Sequence, residues 1–314
     1  SDDISMITSA ESPTRNEIIF VGSADASGKI LAGIWNGSSW SSILTIPIAS
    51  PSASAQNYNS FAVAYDPLSG DAMLVWDNGN TGTTGLSYAT WNGTSWSSIS
   101  TITAPVSGEP LHMVLAAKPN SHEMMLAVET NAGSNNQYAI VWNGSSWGNS
   151  QTLGSNTNQQ YFELNVAYEQ QSGKAMVVYD NSASNSSSIQ YRTWNGSSWS
   201  SEGTITAPAG VTATSDLYNT AIASDPTSNR IAIAAKDAAN ETWLAVWDGS
   251  SWGSTQLATT SGVDTPDHHA TMAVAFESQS GDLLAVYGKS AGPNVYYRTW
   301  TSGGGWSAEA TGPS

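Results

Sequence analysis

The sequence has no cysteine among its 314 residues. Disulfide bonds, thiolate metal sites and cysteine nucleophiles are therefore excluded. Basic residues are also scarce, because nine lysines and arginines stand against 25 acids and leave a formal net charge of −16. This balance offers no basic surface to a phosphate backbone, so no nucleic acid partner is expected. No apolar run reaches the roughly 18 residues of a membrane span, so no membrane insertion of this segment is expected.

Charged residues make up 11% of the chain, and Ser, Thr, Asn and Gly fill the segments between its apolar runs. Surfaces that depend on neutral polar groups suit secreted proteins, so an extracellular or cell-surface location is expected. The sequence starts at Ser1-Asp2-Asp3 with neither an initiator methionine nor a signal peptide. We expect a mature or excised form of a longer precursor, whose signal or anchor is not in this segment.

A short hairpin bounded by two tryptophans recurs along the chain. Its six copies are Trp35 to Trp40, Trp91 to Trp96, Trp142 to Trp147, Trp194 to Trp199, Trp247 to Trp252 and Trp300 to Trp306. The first tryptophans of successive copies lie 51 to 56 residues apart, a period that suits one four-stranded unit. Alternating apolar residues and β-branched content favour strands throughout. Asn-Gly or Asp-Gly follows the first tryptophan in five copies, as a tight hairpin turn requires.

These repeats predict an all-β fold, a six-bladed β-propeller with four antiparallel strands per blade and closure without a shared strand. A single domain spanning 1-314 is expected. Its blades are expected at approximately 1-48, 57-104, 109-155, 160-207, 216-260 and 268-314. The recurrence of the twelve hairpin tryptophans at a fixed distance from a turn indicates packing between strands or blades rather than sugar stacking.

Loops between the second and third strands differ in length and content from copy to copy, whereas the other turns are short and alike. Variation over a uniform scaffold is where a binding site is expected. Near that face, the aromatic candidates for ligand stacking are Tyr58, Tyr138, Tyr161, Tyr218, Trp243 and Tyr296. The polar candidates are Glu109, His112, Glu163, Asp216 and His268, which would ring a channel mouth, and Arg192 and Arg298 for hydrogen bonding.

The W-N-G-S-S-W and W-D-G-S-S-W hairpins resemble the W-D-G-x-G-W hairpins of the six-bladed fucose-binding lectins of fungi and bacteria. The resemblance covers all six repeats and implies carbohydrate recognition in pockets between blades, where that family places an Arg, a Glu and aromatic residues. Arg192 and Arg298 lie before Trp194 and Trp300, near the expected strand. The strands before the other four first tryptophans contain no arginine, and none of the six supplies the acidic residue.

The sequence therefore favours a non-catalytic binding or adhesion module whose partner is a glycan or a cell-surface protein. Two alternatives stay open. One is a structural or assembly subunit with no small ligand, and the other is a glycoside hydrolase or lyase that uses Glu109, Glu163 and Asp216. Sialidase activity is not expected, because only two of the four arginines lie away from the uniform turns. No cofactor and no metal site are predicted, since His268-His269 are adjacent and point to opposite sides of a strand.

Overall fold

The computed structural model describes residues 4–24, 29–47, 59–133, 136–155, 162–181, 187–253, 255–263, 271–290 and 292–313. These residues form strands and turns, and they contain no helix that is long and apolar enough to cross a membrane. The chain divides into two compact units, Ser1–Leu153 and Gly154–Ser314. Each unit contains three antiparallel sheets built from consecutive strands, which confirms the six-bladed β-propeller fold.

In the first unit each blade takes four strands. The first blade comprises β1 (Ile4–Glu11), β2 (Ile18–Ala24), β3 (Lys29–Trp35) and β4 (Trp40–Pro47). The second comprises β5 (Phe61–Tyr65), β6 (Ala72–Asp77), β7 (Leu86–Trp91) and β8 (Ser100–Ile102). The third comprises β9 (Pro110–Ala117), β10 (Met124–Thr130), β11 (Gln137–Trp142) and β12 (Trp147–Gly154).

The second unit repeats this order. The fourth blade comprises β13 (Asn165–Tyr168), β14 (Ala175–Tyr179), β15 (Ile189–Trp194) and β16 (Gly203–Ile205). The fifth comprises β17 (Leu217–Ser224), β18 (Ile231–Asp237), β19 (Thr242–Trp247) and β20 (Gln256–Thr259). The sixth comprises β21 (Met272–Phe276), β22 (Leu283–Gly288), β23 (Val295–Thr301), β24 (Gly305–Trp306) and β25 (Ala310–Thr311). Among the described strands, none is shared between the first and last blades, as the sequence predicts.

The tryptophan-bounded hairpins owe their shape to the residue after the first tryptophan. In the first blade, Asn36 Oδ1 accepts hydrogen bonds from the amides of Ser38 and Ser39 at 3.0 and 2.9 Å. Gly37 then adopts a φ of 93°, in the left-handed region that glycine enters without steric penalty. The side chain thus satisfies the turn amides that no strand partner can reach.

In the second blade, the fourth strand does not begin at the second hairpin tryptophan, Trp96, but a few residues after it. Trp91 and Trp96 form an isolated bridge, and regular pairing resumes only at Ser100. Between them, the Ser97 hydroxyl accepts the amide N–H of Thr90 at 2.9 Å, in place of a backbone carbonyl. Ser200 and Ser307 accept from Thr193 and Thr299 in the same way, so a serine at this position interrupts the outer strand.

Hydrophobic cores lie between neighbouring blades within each unit. In the first unit, Met73 and Val75 of the second blade pack with Leu126 and Val128 of the third. The first hairpin tryptophans join these cores, and Tyr88 contacts Trp142 edge to face with ring centroids 5.7 Å apart. In the second unit, Tyr191 meets Trp247 in the same geometry at 5.9 Å. Trp91, Trp142 and Trp247 therefore pack between blades, as their regular recurrence indicates.

Candidate functional site

Neighbouring blades within a unit are separated by grooves at the end that carries the short turns. We call this the turn end of the blades, and it holds the turn between the first and second strands and the tryptophan hairpin. The opposite end, which carries the loops between the second and third strands, is the loop end. Each groove at the turn end contains the first hairpin tryptophan of its second blade, and what surrounds that indole differs from groove to groove.

The groove between the first and second blades is filled by the chain's own side chains. Glu17 Oε1 accepts from Arg15 Nε and Nη2 at 3.0 and 2.7 Å. The same oxygen accepts from Tyr65 Oη at 3.1 Å and from Trp91 Nε1 at 3.2 Å. Arg15 Nη2 also donates to the carbonyl oxygen of Gly70 in the next blade. The indole of this groove is therefore hydrogen-bonded, and the acceptor that binds it also binds the guanidinium of Arg15.

The two described grooves of the second unit are also occupied. Between the fourth and fifth blades, Trp247 Nε1 donates to Glu169 Oε1 at 2.7 Å. Between the fifth and sixth blades, Arg230 Cζ lies 5.6 Å from the centre of the Trp300 ring. Arg230 Nη1 also pairs with Asp225 Oδ2 at 3.2 Å. A carboxylate or an arginine from the preceding blade thus meets the tryptophan in both grooves.

The groove between the second and third blades differs, because it holds an open cavity of about 200 Å³. Its lining is formed by Asp66, Ser69, Asp71, Ala72, Met73, Thr90, Met124, Trp142 and Gly144. Asp66 stands at the turn position of Glu169 but is one methylene shorter, and its carboxylate is held elsewhere. Asp66 Oδ2 meets His122 Nδ1 at 2.6 Å, while Oδ1 accepts from the amides of Leu68 and Ser69. Within the described part of the chain, no acceptor meets the indole N–H of Trp142.

The two carboxylates of this cavity ionise differently. Burial opposes ionisation of Asp66, but the hydrogen bonds from His122, Ser69 and Leu68 outweigh it and lower its pKa. Burial raises the pKa of Asp71, Arg15 opposes that rise, and Asp66 adds to it. Asp71 Oδ1 lies 4.0 Å from Arg15 Nη1, whose guanidinium is engaged mainly by Glu17. The cavity is therefore an acidic recess with an indole face and hydroxyl groups on its wall.

Three of the residues predicted to bind ligand lie outside the described residues, namely Tyr58, Tyr161 and His268. Tyr138 and Trp243 are buried in the cores between blades, with 1% and 0% of their surface exposed, so their rings pack against protein. Both side chains therefore contribute to packing, and ligand stacking by Tyr138 and Trp243 stays a prediction.

The two arginines proposed for hydrogen bonding occupy equivalent positions in the fourth and sixth blades. Arg192 Nη1 donates to the carbonyl oxygen of Ser200 at 2.8 Å, and Arg298 Nη1 donates to that of Ser307 at 2.7 Å. Each therefore ties the third strand to the interrupted outer strand. Tyr218 lies under Lys236 Nζ at 6.0 Å, and Tyr296 under Lys289 Nζ at 4.6 Å. Ligand binding by Arg192, Arg298, Tyr218 and Tyr296 stays a prediction.

Two of the three predicted carboxylates at the loop end are deeply buried, and Asp216 is half-buried. Glu109 is 7% exposed and Glu163 is 0% exposed, while His112 is buried in β9 opposite Glu129. Asn131 binds Glu109 through both its side-chain atoms, at 2.8 and 3.1 Å. Burial raises the pKa of Asp77 to about 7. The hydrogen bond from the amide of Gly79 opposes this rise, and the nearby Glu109 adds to it. A ligand role for Glu109, Glu163, His112 and Asp216 also stays a prediction.

Sequence reasoning missed Asp66, Asp71 and Trp142 as members of one cavity. The turn that holds Asp66 and Asp71 has the same length as its counterparts, whereas a binding surface is predicted where loops vary. The sequence does carry a signal in residue type, because the residue before the second strand differs between copies. It is Glu17 in the first blade, Asp71 in the second, Lys174 in the fourth and Arg230 in the fifth. Among the described residues, no group of three His, Asp or Glu side chains is placed to hold a metal ion.

No family model matches this chain, and no curated protein matches it. Solved structures do match it. A mutant of the Aleuria aurantia lectin in complex with Fucα1-6GlcNAc aligns at 17% identity with a TM-score of 0.54, over 100% of this chain and 98% of that one. AofleA from Arthrobotrys oligospora aligns at 15% identity with a TM-score of 0.51, over 99% and 89%.

The NanB sialidase of Streptococcus pneumoniae aligns at 11% identity with a TM-score of 0.54, over 93% of this chain and 66% of that one. The Aleuria aurantia lectin is a six-bladed β-propeller with a novel mode of fucose recognition. At these identities the likeness establishes the fold. The chain thus resembles the fucose-binding lectins in architecture as well as in its hairpins.

Proposed function

We propose that this protein is a non-catalytic carbohydrate-binding module and that a sugar binds in the cavity between its second and third blades. The observation that carries the proposal is the open recess of about 200 Å³ at a position that protein groups fill in the neighbouring groove. Pockets for drug-sized ligands measure roughly 300–1,000 Å³, so this one suits a single sugar ring or a terminal sugar group.

The lining of the cavity supplies the contacts that a pyranose needs. The partly buried indole of Trp142 offers a flat apolar face to the C–H groups of the ring. Asp66 and Asp71 provide acceptors for sugar hydroxyls, and Ser69 and Thr90 provide hydroxyl groups. Few polar groups around an apolar platform are the usual composition of small-ligand sites. The lectins that share the fold add support, although their ligands are properties of those proteins.

Secretion and a role at a cell surface belong to the same proposal and rest on composition. The chain combines a net charge of −16 with a low content of charged residues. Further contacts from the variable loops at the loop end are expected to widen the recognised surface beyond one sugar. The cavity at the turn end would then provide the anchoring subsite.

The test is binding of the protein to a glycan array that includes neutral, acidic and amino sugars, followed by titration of each hit. Trp142→Ala should abolish binding, because it removes the stacking face. The matched control is Trp40→Ala, another hairpin tryptophan, which is 54% exposed in the first blade and outside the cavity. Absence of any array signal, together with self-association that depends on protein concentration, would overturn the proposal and favour an assembly role.

A further inference from the structure

The grooves at the turn end show what chemistry suits the space beside a hairpin tryptophan. In the groove between the fifth and sixth blades, that space holds the guanidinium of Arg230, between the Asp225 carboxylate and the Trp300 ring. In the groove between the first and second blades, it holds the guanidinium of Arg15. An alanine Cβ at Gly93 would lie 3.0 Å from Arg15 Cζ, so the cation lies directly against the hairpin turn. Two grooves of this chain therefore accommodate a cation of their own.

The groove between the second and third blades keeps the anionic and aromatic parts of this arrangement. Asp66 stands at the position of Asp225, the first residue of the turn, and Trp142 stands at the position of Trp300. Asp71 replaces Arg230, the residue that precedes the second strand of its blade. The cavity has thus lost the internal cation and gained a second carboxylate in its place.

The charges around the cavity leave it negative. The Asp66 carboxylate contacts His122, which is 53% exposed at the side chain, and Asp71 lies 4.0 Å from Arg15. Arg15 is bound at 2.7 Å by Glu17, so its charge is largely matched within its own groove. Two carboxylates therefore line the cavity, and the groups that pair with them, His122 and Arg15, do not belong to its lining. A ligand cation there would meet carboxylates and an indole face in a partly enclosed space, where both attractions are stronger than in bulk water.

We propose that this cavity selects sugars that carry a free amino group, with the ammonium between Asp66 and Asp71 and the sugar ring against Trp142. The inference rests on the proposed carbohydrate-binding function and names its ligand class as 2-amino-2-deoxyhexoses, the units of deacetylated chitin-type oligosaccharides. An ammonium donates three hydrogen bonds and matches the carboxylate pair. The N-acetylated sugar keeps the same ring but has no charge, so it would leave the carboxylates without a counterion.

The direct experiment compares a tetramer of glucosamine with a tetramer of N-acetylglucosamine by isothermal titration calorimetry. We expect the amino form to bind about tenfold or more tightly, the ratio that one charge-assisted hydrogen bond supplies. Raising the salt concentration should weaken binding of the amino form and leave the acetylated form unchanged. Equal affinities for the two tetramers would overturn the selectivity while leaving the carbohydrate-binding function intact.

Substitutions of the two carboxylates test whether the selectivity for the amino form arises in this cavity. Asp66→Asn and Asp71→Asn each remove one charge and keep a side-chain oxygen, and each should reduce binding of the amino tetramer several-fold. Asp282→Asn, at the turn position of Asp71 in the sixth blade, is the matched control and should have no effect. Asp71→Arg should abolish binding, because its guanidinium would lie over Trp142 as Arg230 lies over Trp300.

The same measurements separate the two proposals. If neither tetramer nor any neutral glycan binds but a lysine-containing peptide does, then the carbohydrate-binding function fails along with the assignment to amino sugars. If neutral sugars bind and Trp142→Ala abolishes that binding, while Asp66→Asn and Asp71→Asn do not alter any affinity, the function survives and the cationic ligand class is refuted.

Discussion

Glu17 gives the most direct test of how neighbouring blades are held together. Its Oε1 accepts four hydrogen bonds, from two nitrogens of Arg15, from Tyr65 and from Trp91. The Glu17 side chain is 8% exposed, and Tyr65 and Trp91 are buried at 5% and 3%. Glu17→Ala therefore leaves the buried hydroxyl of Tyr65 and the buried indole N–H of Trp91 without this acceptor, and it removes the partner of Arg15.

The magnitude follows from those stranded groups. Each buried donor left without an acceptor costs about 1–3 kcal/mol, so two of them cost about 2–6 kcal/mol of the free energy of unfolding. Arg15 is 28% exposed at the side chain and can regain water, so its loss adds little. We expect Glu17→Ala to destabilise the protein by about 3–4 kcal/mol. Glu17→Gln keeps the acceptor and loses the charge, and we expect about half that cost.

The assay is urea unfolding followed by circular dichroism for the native chain and the variants. Glu277→Ala is the matched control, since Glu277 is exposed and its carboxylate accepts a hydrogen bond from Ser280. That change should cost less than about 0.5 kcal/mol. If Glu17→Ala costs no more than Glu277→Ala, or if Glu17→Gln costs as much as Glu17→Ala, the reasoning from stranded donors is refuted.

Two further predictions concern stability. Burial raises the pKa of Asp77 from 3.8 to about 7, so the folded state favours the protonated acid. Between about pH 4 and pH 7 the unfolded chain ionises Asp77 while the folded state keeps it protonated. The free energy of unfolding therefore falls by up to about 4 kcal/mol over this range. Asp77→Asn should flatten this slope in urea titrations at several pH values, and an unchanged slope would contradict it. Gly93→Ala should cost about 1–3 kcal/mol in thermal unfolding, because φ is 92° and the new Cβ would crowd Arg15. Gly303→Ala, which meets nothing within 4 Å, should be neutral, and equal losses would refute the argument.

The architecture could be predicted because each blade encodes it locally. The Asn-Gly turns, the alternation of the strands and the paired tryptophans are all contained within about fifty residues, and each recurs in every copy or nearly so. The observed strands of the second blade, such as β6 at Ala72–Asp77 and β7 at Leu86–Trp91, lie within the segment 57-104 predicted for that blade. The interrupted fourth strand was less visible, since it depends on a serine hydroxyl that replaces a carbonyl.

The cavity could not be predicted in the same way, because it depends on whether a side chain of one blade extends far enough to contact the next blade. Arg15 fills one groove by contacting Gly70, which lies 55 residues further along the chain. In another groove the Asp66 carboxylate is held by His122 and by the amides of Leu68 and Ser69, and Asp71 stands where the fifth blade has Arg230. Neither difference changes the length of a turn, so turn length carries no signal for this cavity.

The contrast between filled and open grooves links stability to recognition in this chain. Where Glu17, Glu169 or Arg230 meets a hairpin tryptophan, the groove contributes to holding two blades together. Where Asp66 turns to His122 instead, the indole of Trp142 lines an open cavity. If the proposed function holds, the loss of one internal contact has opened a site on a repeated scaffold, and proteins commonly have lower stability where a site must stay open. Two positions of the turn differ between these grooves: the first turn residue, which is Asp66 at the open groove and Glu169 at a filled one, and the residue before the second strand, which is Asp71 at the open groove and Arg230 at another filled one.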